Sequence, residues 1–84
     1  MATVRAFTGD GLQMWFPSGD HTPAHMHVRR PGEWTARIRL LDGEFIEIKP
    51  SGARIRGGDR RAVLAGIEQH REVLLAEWEA CQRG

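Results

Sequence analysis

Three of the four histidines in this chain fall within seven residues, in the run His21-Thr22-Pro23-Ala24-His25-Met26-His27, with Asp20 just before it and Arg29 just after. Imidazole changes charge near neutral pH, moves protons and ligates transition metals, so this run is where the sequence concentrates its chemistry. On an extended backbone His25 and His27 project from one face about 6.6 Å apart at Cα, a separation from which both rings reach one metal ion or one phosphate. His21 or Asp20, in the preceding loop, would close a third position. The metal reading places a divalent transition metal such as zinc on His21, His25 and His27. Otherwise no cofactor is expected, because an HxH pair without a carboxylate or thiolate at a fixed offset does not define a zinc site. The acid–base reading has His25 and His27 exchange protons while Arg29 neutralises charge developing on a phosphate. The plainest reading is two histidines on the water-facing side of a strand, touching Trp15 or Trp34.

Other reactive side chains carry less. His70 falls on the apolar stripe of a helix and reads as a core or rim residue. Ser18 and Ser51 have no triad-like surroundings, Cys81 reads as buried rather than nucleophilic, and Gly57-Gly58-Asp59 lacks the lysine and spacing of a phosphate loop. The arginines matter more. Arg29 or Arg30 could hold an anion through paired N–H donors, and Arg37 and Arg39 project from the outer side of their strand. With Asp20 and His21, the residues Arg30, Arg37 and Arg39 make up the candidate binding set around His25, His27 and Arg29. Arg54, Arg56, Arg60 and Arg61 gather at the strand-to-helix junction, where they either track a phosphate backbone or, with Arg37 and Arg39, form a solvated face paired with Glu44, Glu47 and Asp59.

The elements that must position these residues follow from periodicity. Residues 4–7 suggest a short edge strand and 12–16 a second strand stopped by Pro17. Residues 24–29 can be extended, with Met26 and Val28 on one face and His25, His27 and Arg29 on the other. Residues 34–40 alternate, with Trp34, Ala36, Ile38 and Leu40 inward, and pair with 44–48. A two-residue Asp42-Gly43 turn would set Glu47 against the core face. A three-residue loop, Leu41-Asp42-Gly43, instead pairs Ile38 with Ile46 and Arg37 with Glu47 and uses Gly43 in the left-handed region. Residues 54–56 suggest a brief edge. From Asp59, a plausible N-cap, the period turns helical over about 60–82, with Val63, Ile67, His70, Leu74, Trp78 and Cys81 as the buried stripe. The expected class is α+β: a small antiparallel sheet of about four strands with one long C-terminal helix packed on one face, a single domain over 1–84.

Composition bounds the rest. The 84 residues, 40% hydrophobic and 27% charged with a formal net charge of +1, describe a folded chain too short for a cofactor domain of its own. A core this small makes a homodimer an option. One cysteine excludes an internal disulfide and suits a reducing compartment, no secretion signal or apolar run of 18 residues is seen, and a cytoplasmic protein with no membrane contact is expected. Eleven of the twelve basic residues are arginine, yet a pI near 8.1 is too mild to indicate nucleic acid from bulk charge, so local clustering has to decide.

Met14-Trp15-Phe16, then Asp20-His21-Thr22-Pro23-Ala24-His25-Met26-His27-Val28-Arg29, Gly32-Glu33 and the closing Gln69 to Trp78 segment resemble the bacterial DUF4160 family over residues 10–80. The carrying motifs are D-H-x-P-x-H-x-H-V and E-x-L-L-x-x-W; Ala24 stands where the family commonly has a second proline. The resemblance implies a small cytosolic prokaryotic protein of unknown biochemical function, often encoded beside a short protein of the DUF2442 type, a pairing that looks like a toxin–antitoxin unit. The expected function is a binding or regulatory module that contacts a protein partner encoded nearby, and nucleic acid through the His25/His27/Arg29 face. The alternatives are a metal-free ribonuclease-like toxin using His25, His27 and Arg29, and a metal-binding protein or hydrolase built on His21, His25 and His27.

Overall fold

The computed structural model describes residues 2–19 and 22–83. Strands β1 (Ala2–Thr3), β2 (Gln13–Phe16), β3 (His25–Arg30), β4 (Trp34–Arg39) and β5 (Phe45–Lys49) precede one helix, α1 (Gly57–Arg83). The strands form an antiparallel meander in chain order, β1-β2-β3-β4-β5, so the α+β expectation holds with one strand more than the four anticipated. The edge strand sits at 2–3 rather than 4–7. Val4 N still donates to Met14 O at 3.0 Å, but Arg5 N donates to Glu77 Oε1 at 2.9 Å, which draws the chain off the sheet toward α1. Residues 54–56 form no strand, although Ile55 is buried.

Alternation along the strands sends Met14, Phe16, Met26, Val28, Trp34, Ala36 and Ile38 to one side, where they form a single core with Val63, Ile67, Leu74 and Trp78 of α1. Phe7, leaving the sheet, lies over Gly66 so closely that a Cβ there would stand 2.1 Å from its ring, and it stacks on His70 at 5.8 Å. His70 departs from helical geometry (φ −117°, ψ 21°), so α1 bends where this ring rests on it.

Two boundaries differ from expectation for identifiable reasons. Arg60 N donates to Arg56 O at 3.0 Å, so the helix starts two residues before Asp59, and Asp59 lies inside the first turn rather than at the N-cap. Its carboxylate there accepts a forked pair of bonds from Arg30, Nε to Oδ2 at 2.6 Å and Nη2 to Oδ1 at 2.8 Å, and Arg30 Nη2 also donates to Asp10 O at 2.9 Å. The β4–β5 connection is also longer. Leu40 is fully buried and its N–H bonds Ala24 O at 2.9 Å, so Arg39 and Glu44 close the loop, with Gly43 at φ 73°. Arg37 faces Glu47 as expected, but Ile38 faces Phe45 instead of Ile46; a bulge accommodates the extra residue and leaves Ile46 exposed.

Removing buried volume from the helix seam should be costly and trimming its outer side should not. Leu74→Ala is expected to destabilise the fold by about 2–5 kcal/mol and Val73→Ala by less than about 0.5 kcal/mol in urea unfolding, and equal effects would contradict the packing described. Hydrogen bonds from Arg30, and secondarily its charge and that of Arg56, hold the Asp59 carboxyl below the ordinary carboxylate range against the opposing effect of burial. A depressed folded-state value contributes stability above the unfolded-state pKa that is lost as pH falls through the folded one. Asp59→Asn should therefore lower Tm at neutral pH, with the gap from the parent closing in acid; a gap independent of pH would show that the pair does not act through its charge.

Candidate functional site

With α1 on one side, the opposite side of β2–β5 carries the alternate residues in rows set by strand register. One row runs Trp15, His27, Arg37, Glu47 across four strands; the next runs Gln13, Arg29, Thr35, Lys49. His25 stands opposite Arg39 at the near end of β3. Aromatic and basic side chains thus share one sheet face with strands about 4.8 Å apart.

Side-chain contacts join neighbours at both ends of the first row. Trp15 stacks on His27 with ring centroids 5.4 Å apart and 23° between planes, and His27 lies 5.5 Å from the tilted ring of His25. Arg37 Nη2 is 3.4 Å from Glu47 Oε1, and Arg37 Nε is buried without an acceptor among the described residues. The two imidazoles do stand side by side on an extended backbone, as the spacing predicts. They are not both open to water. His25 is only 4% exposed, at the start of β3 beside Arg39 and His27, and its Nδ1 lies 2.9 Å from Pro23 O. A carbonyl only accepts, so that nitrogen carries the hydrogen and one of the two ring atoms needed for chemistry is committed to the backbone. His27 is half-buried.

The arginines divide in a way their spacing does not reveal. Arg30 follows Met26 and Val28 to the helix side of the sheet and is taken up by Asp59, which corrects its assignment to an anion-binding face. Arg39 is also committed: Nε and Nη2 fork onto Asp42 at 3.0 and 2.6 Å, and Nη2 contacts Glu44. The Arg39 hydrogen bonds, with that from Glu44 N, bring the Asp42 carboxyl down to about 2. Arg29 is exposed and makes no ion pair or hydrogen bond among the described residues. Arg37 is held only loosely. Asp20 and His21 lie outside the described residues, and among the described ones no three His, Cys, Asp or Glu side chains gather as they would around a metal ion. Trp15, Thr35 and Lys49 join the face although sequence reasoning gave them no binding role. Their outward parity on neighbouring strands was the signal, and the register was needed to place them beside Arg29 and Arg37.

The family described as a domain of unknown function, DUF4160, matches residues 11–79. The chain belongs to the DUF4160 family. The matched segment runs from the turn before β2 through most of α1 and so contains both rows of the exposed face. No curated protein and no solved structure matches the chain. Among the described residues no helix is long and apolar enough to cross a membrane.

The stack at the head of the row can be measured directly. A double-mutant cycle with Trp15→Ala and His27→Ala should give a coupling of about 0.5–1.5 kcal/mol in chemical unfolding, and additive single effects would mean that the rings only lie near each other.

Proposed function

We propose that this DUF4160 chain is a small binding module that contacts single-stranded nucleic acid through the uncovered face of its sheet and works with a protein partner encoded beside it, as one half of a two-gene unit of the toxin–antitoxin kind in the cytoplasm. The observation that carries the nucleic-acid part is the row Trp15, His27, Arg37, flanked by Arg29 and Lys49. An aromatic plane offers stacking to any base, and guanidinium groups at strand spacing offer forked donors to successive phosphates. Affinity of this sort comes from local clustering and is compatible with a net charge of only +1. The partner half of the reading rests on the family resemblance and on the short chain's small core, which a second protein would extend.

Binding is favoured over ribonuclease chemistry by the state of His25. An acid–base pair has to meet one substrate together, and His25 is buried with Nδ1 held by Pro23 O.

Fluorescence anisotropy with labelled single-stranded RNA should show binding that weakens as salt rises. Arg29→Ala and Arg37→Ala should each reduce the slope of log K against log salt by about 0.7, and Trp15→Ala should cost about 1–3 kcal/mol with little change in slope. Co-expression with the neighbouring gene product should yield a stable complex. A monomer that binds no strand at low salt and no neighbour would overturn the reading.

A further inference from the structure

The second row of the exposed face, Gln13, Arg29, Thr35, Lys49, ends in a cleft of about 480 Å³ at the β3–β4 turn. Arg29, Thr35 and Lys49 line it together with Gly32, Trp34 and Pro50. Two further charged groups reach the cleft but are engaged elsewhere: Arg30 with Asp59, and Glu33 with Arg56 at 2.9 Å. Arg37 stands two residues along β4 from Thr35 on the same face. Arg29 and Lys49 therefore flank Thr35 on the two neighbouring strands, and Arg37 stands beside the cleft in the next row. The carboxylate facing them, Glu47, lies 3.4 Å from Arg37 and 4.0 Å from Lys49, while Arg29 has no carboxylate partner among the described residues. One carboxylate shared by two of three neighbouring cations leaves net positive charge on the face, and an oxyanion accepting from Arg29 and Lys49 would offset it.

We infer that this cleft is a binding site for a phosphomonoester, and, resting on the nucleic-acid reading above, that the group it takes is the terminal phosphate of a single strand. Arg29 and Lys49 supply charge, Thr35 supplies the hydroxyl donor and Arg37, beside the cleft in the neighbouring row, adds positive charge nearby. Two features favour a terminal phosphate over an internal phosphodiester. A monoester carries a charge of about −1.5 to −2 at neutral pH against the single charge of a diester, which better matches the net charge of Arg29, Arg37 and Lys49 with Glu47 among them. The cleft also lies at the β3–β4 turn, at the end of the sheet, so a strand laid along the face reaches it with an end.

The test has two arms on the full-length chain. Inorganic phosphate is titrated while amide resonances are followed by NMR, and strands of one RNA sequence bearing a 5′-phosphate, a 3′-phosphate or only hydroxyl ends are compared by anisotropy. Saturable shifts at residues 29–35 and 49, and about tenfold tighter binding of one phosphorylated strand, are expected. Combining Arg29→Ala with Lys49→Ala should remove that preference, and Thr35→Val should reduce it; both sites are at the surface, and unchanged thermal melts would confirm an intact fold. Strands that bind equally well whatever their ends, with no saturable phosphate shift, would overturn the phosphate site and leave the nucleic-acid reading standing. Saturable phosphate shifts with no strand binding would keep the phosphate site, assign it to a small phosphorylated molecule, and overturn both the terminal-phosphate assignment and the nucleic-acid reading.

Discussion

Helix α1 lays Val63, Ile67, Leu74 and Trp78 into one core with Met26, Val28, Ile38 and Leu40, and the rest of the molecule depends on that single apolar layer. A chain of 84 residues has one long helix to spend on its sheet, so the second face is left to water. Because strand side chains alternate, covering one face automatically presents the other set in straight cross-strand rows. The candidate site is thus a by-product of how the core closes. No loop has to be folded into shape to bring Trp15, His27, Arg37 and Glu47 into line.

Charge distribution completes the arrangement. Forked bonds from Arg30 hold the first turn of α1 and the backbone at Asp10 to the end of β3, which fixes the helix against the sheet at the end where the cleft lies. Asp42 and Glu44 take up Arg39 at the β4–β5 loop, and Glu33 takes up Arg56. Carboxylates therefore neutralise Arg30, Arg39 and Arg56 at the margins, while on the central and far part of the face Glu47 is shared between Arg37 and Lys49 beside Arg29. A nearly neutral protein obtains a basic surface in this way by segregating its pairs.

The bend at His70 belongs to the same economy of elements. The N-terminal segment has no strand of its own beyond β1 among the described residues, and its ring Phe7 packs against the core by lying over Gly66 and His70 of α1. His70, read from the sequence as a core or rim residue of the apolar stripe, is partly buried and serves as a platform for that ring.

Local pattern was enough to specify the inward sets Met26/Val28 and Trp34/Ala36/Ile38, the helix stripe from Val63 to Trp78, and the left-handed glycine at position 43, because side-chain period and backbone sterics act over a few residues. The pairing of Arg37 with Glu47 and the shared side of His25 and His27 were legible for the same reason. What the sequence could not determine were facts about neighbours distant in the chain. Whether His25 meets water depends on what packs beside the start of β3. Whether Arg30 or Arg29 stays available depends on where Asp59 arrives with the helix. Whether Ile38 faces Phe45 or Ile46 depends on Leu40 being drawn to β3 and the core. Each is settled by burial and charge pairing between segments that only the closed tertiary structure brings within reach.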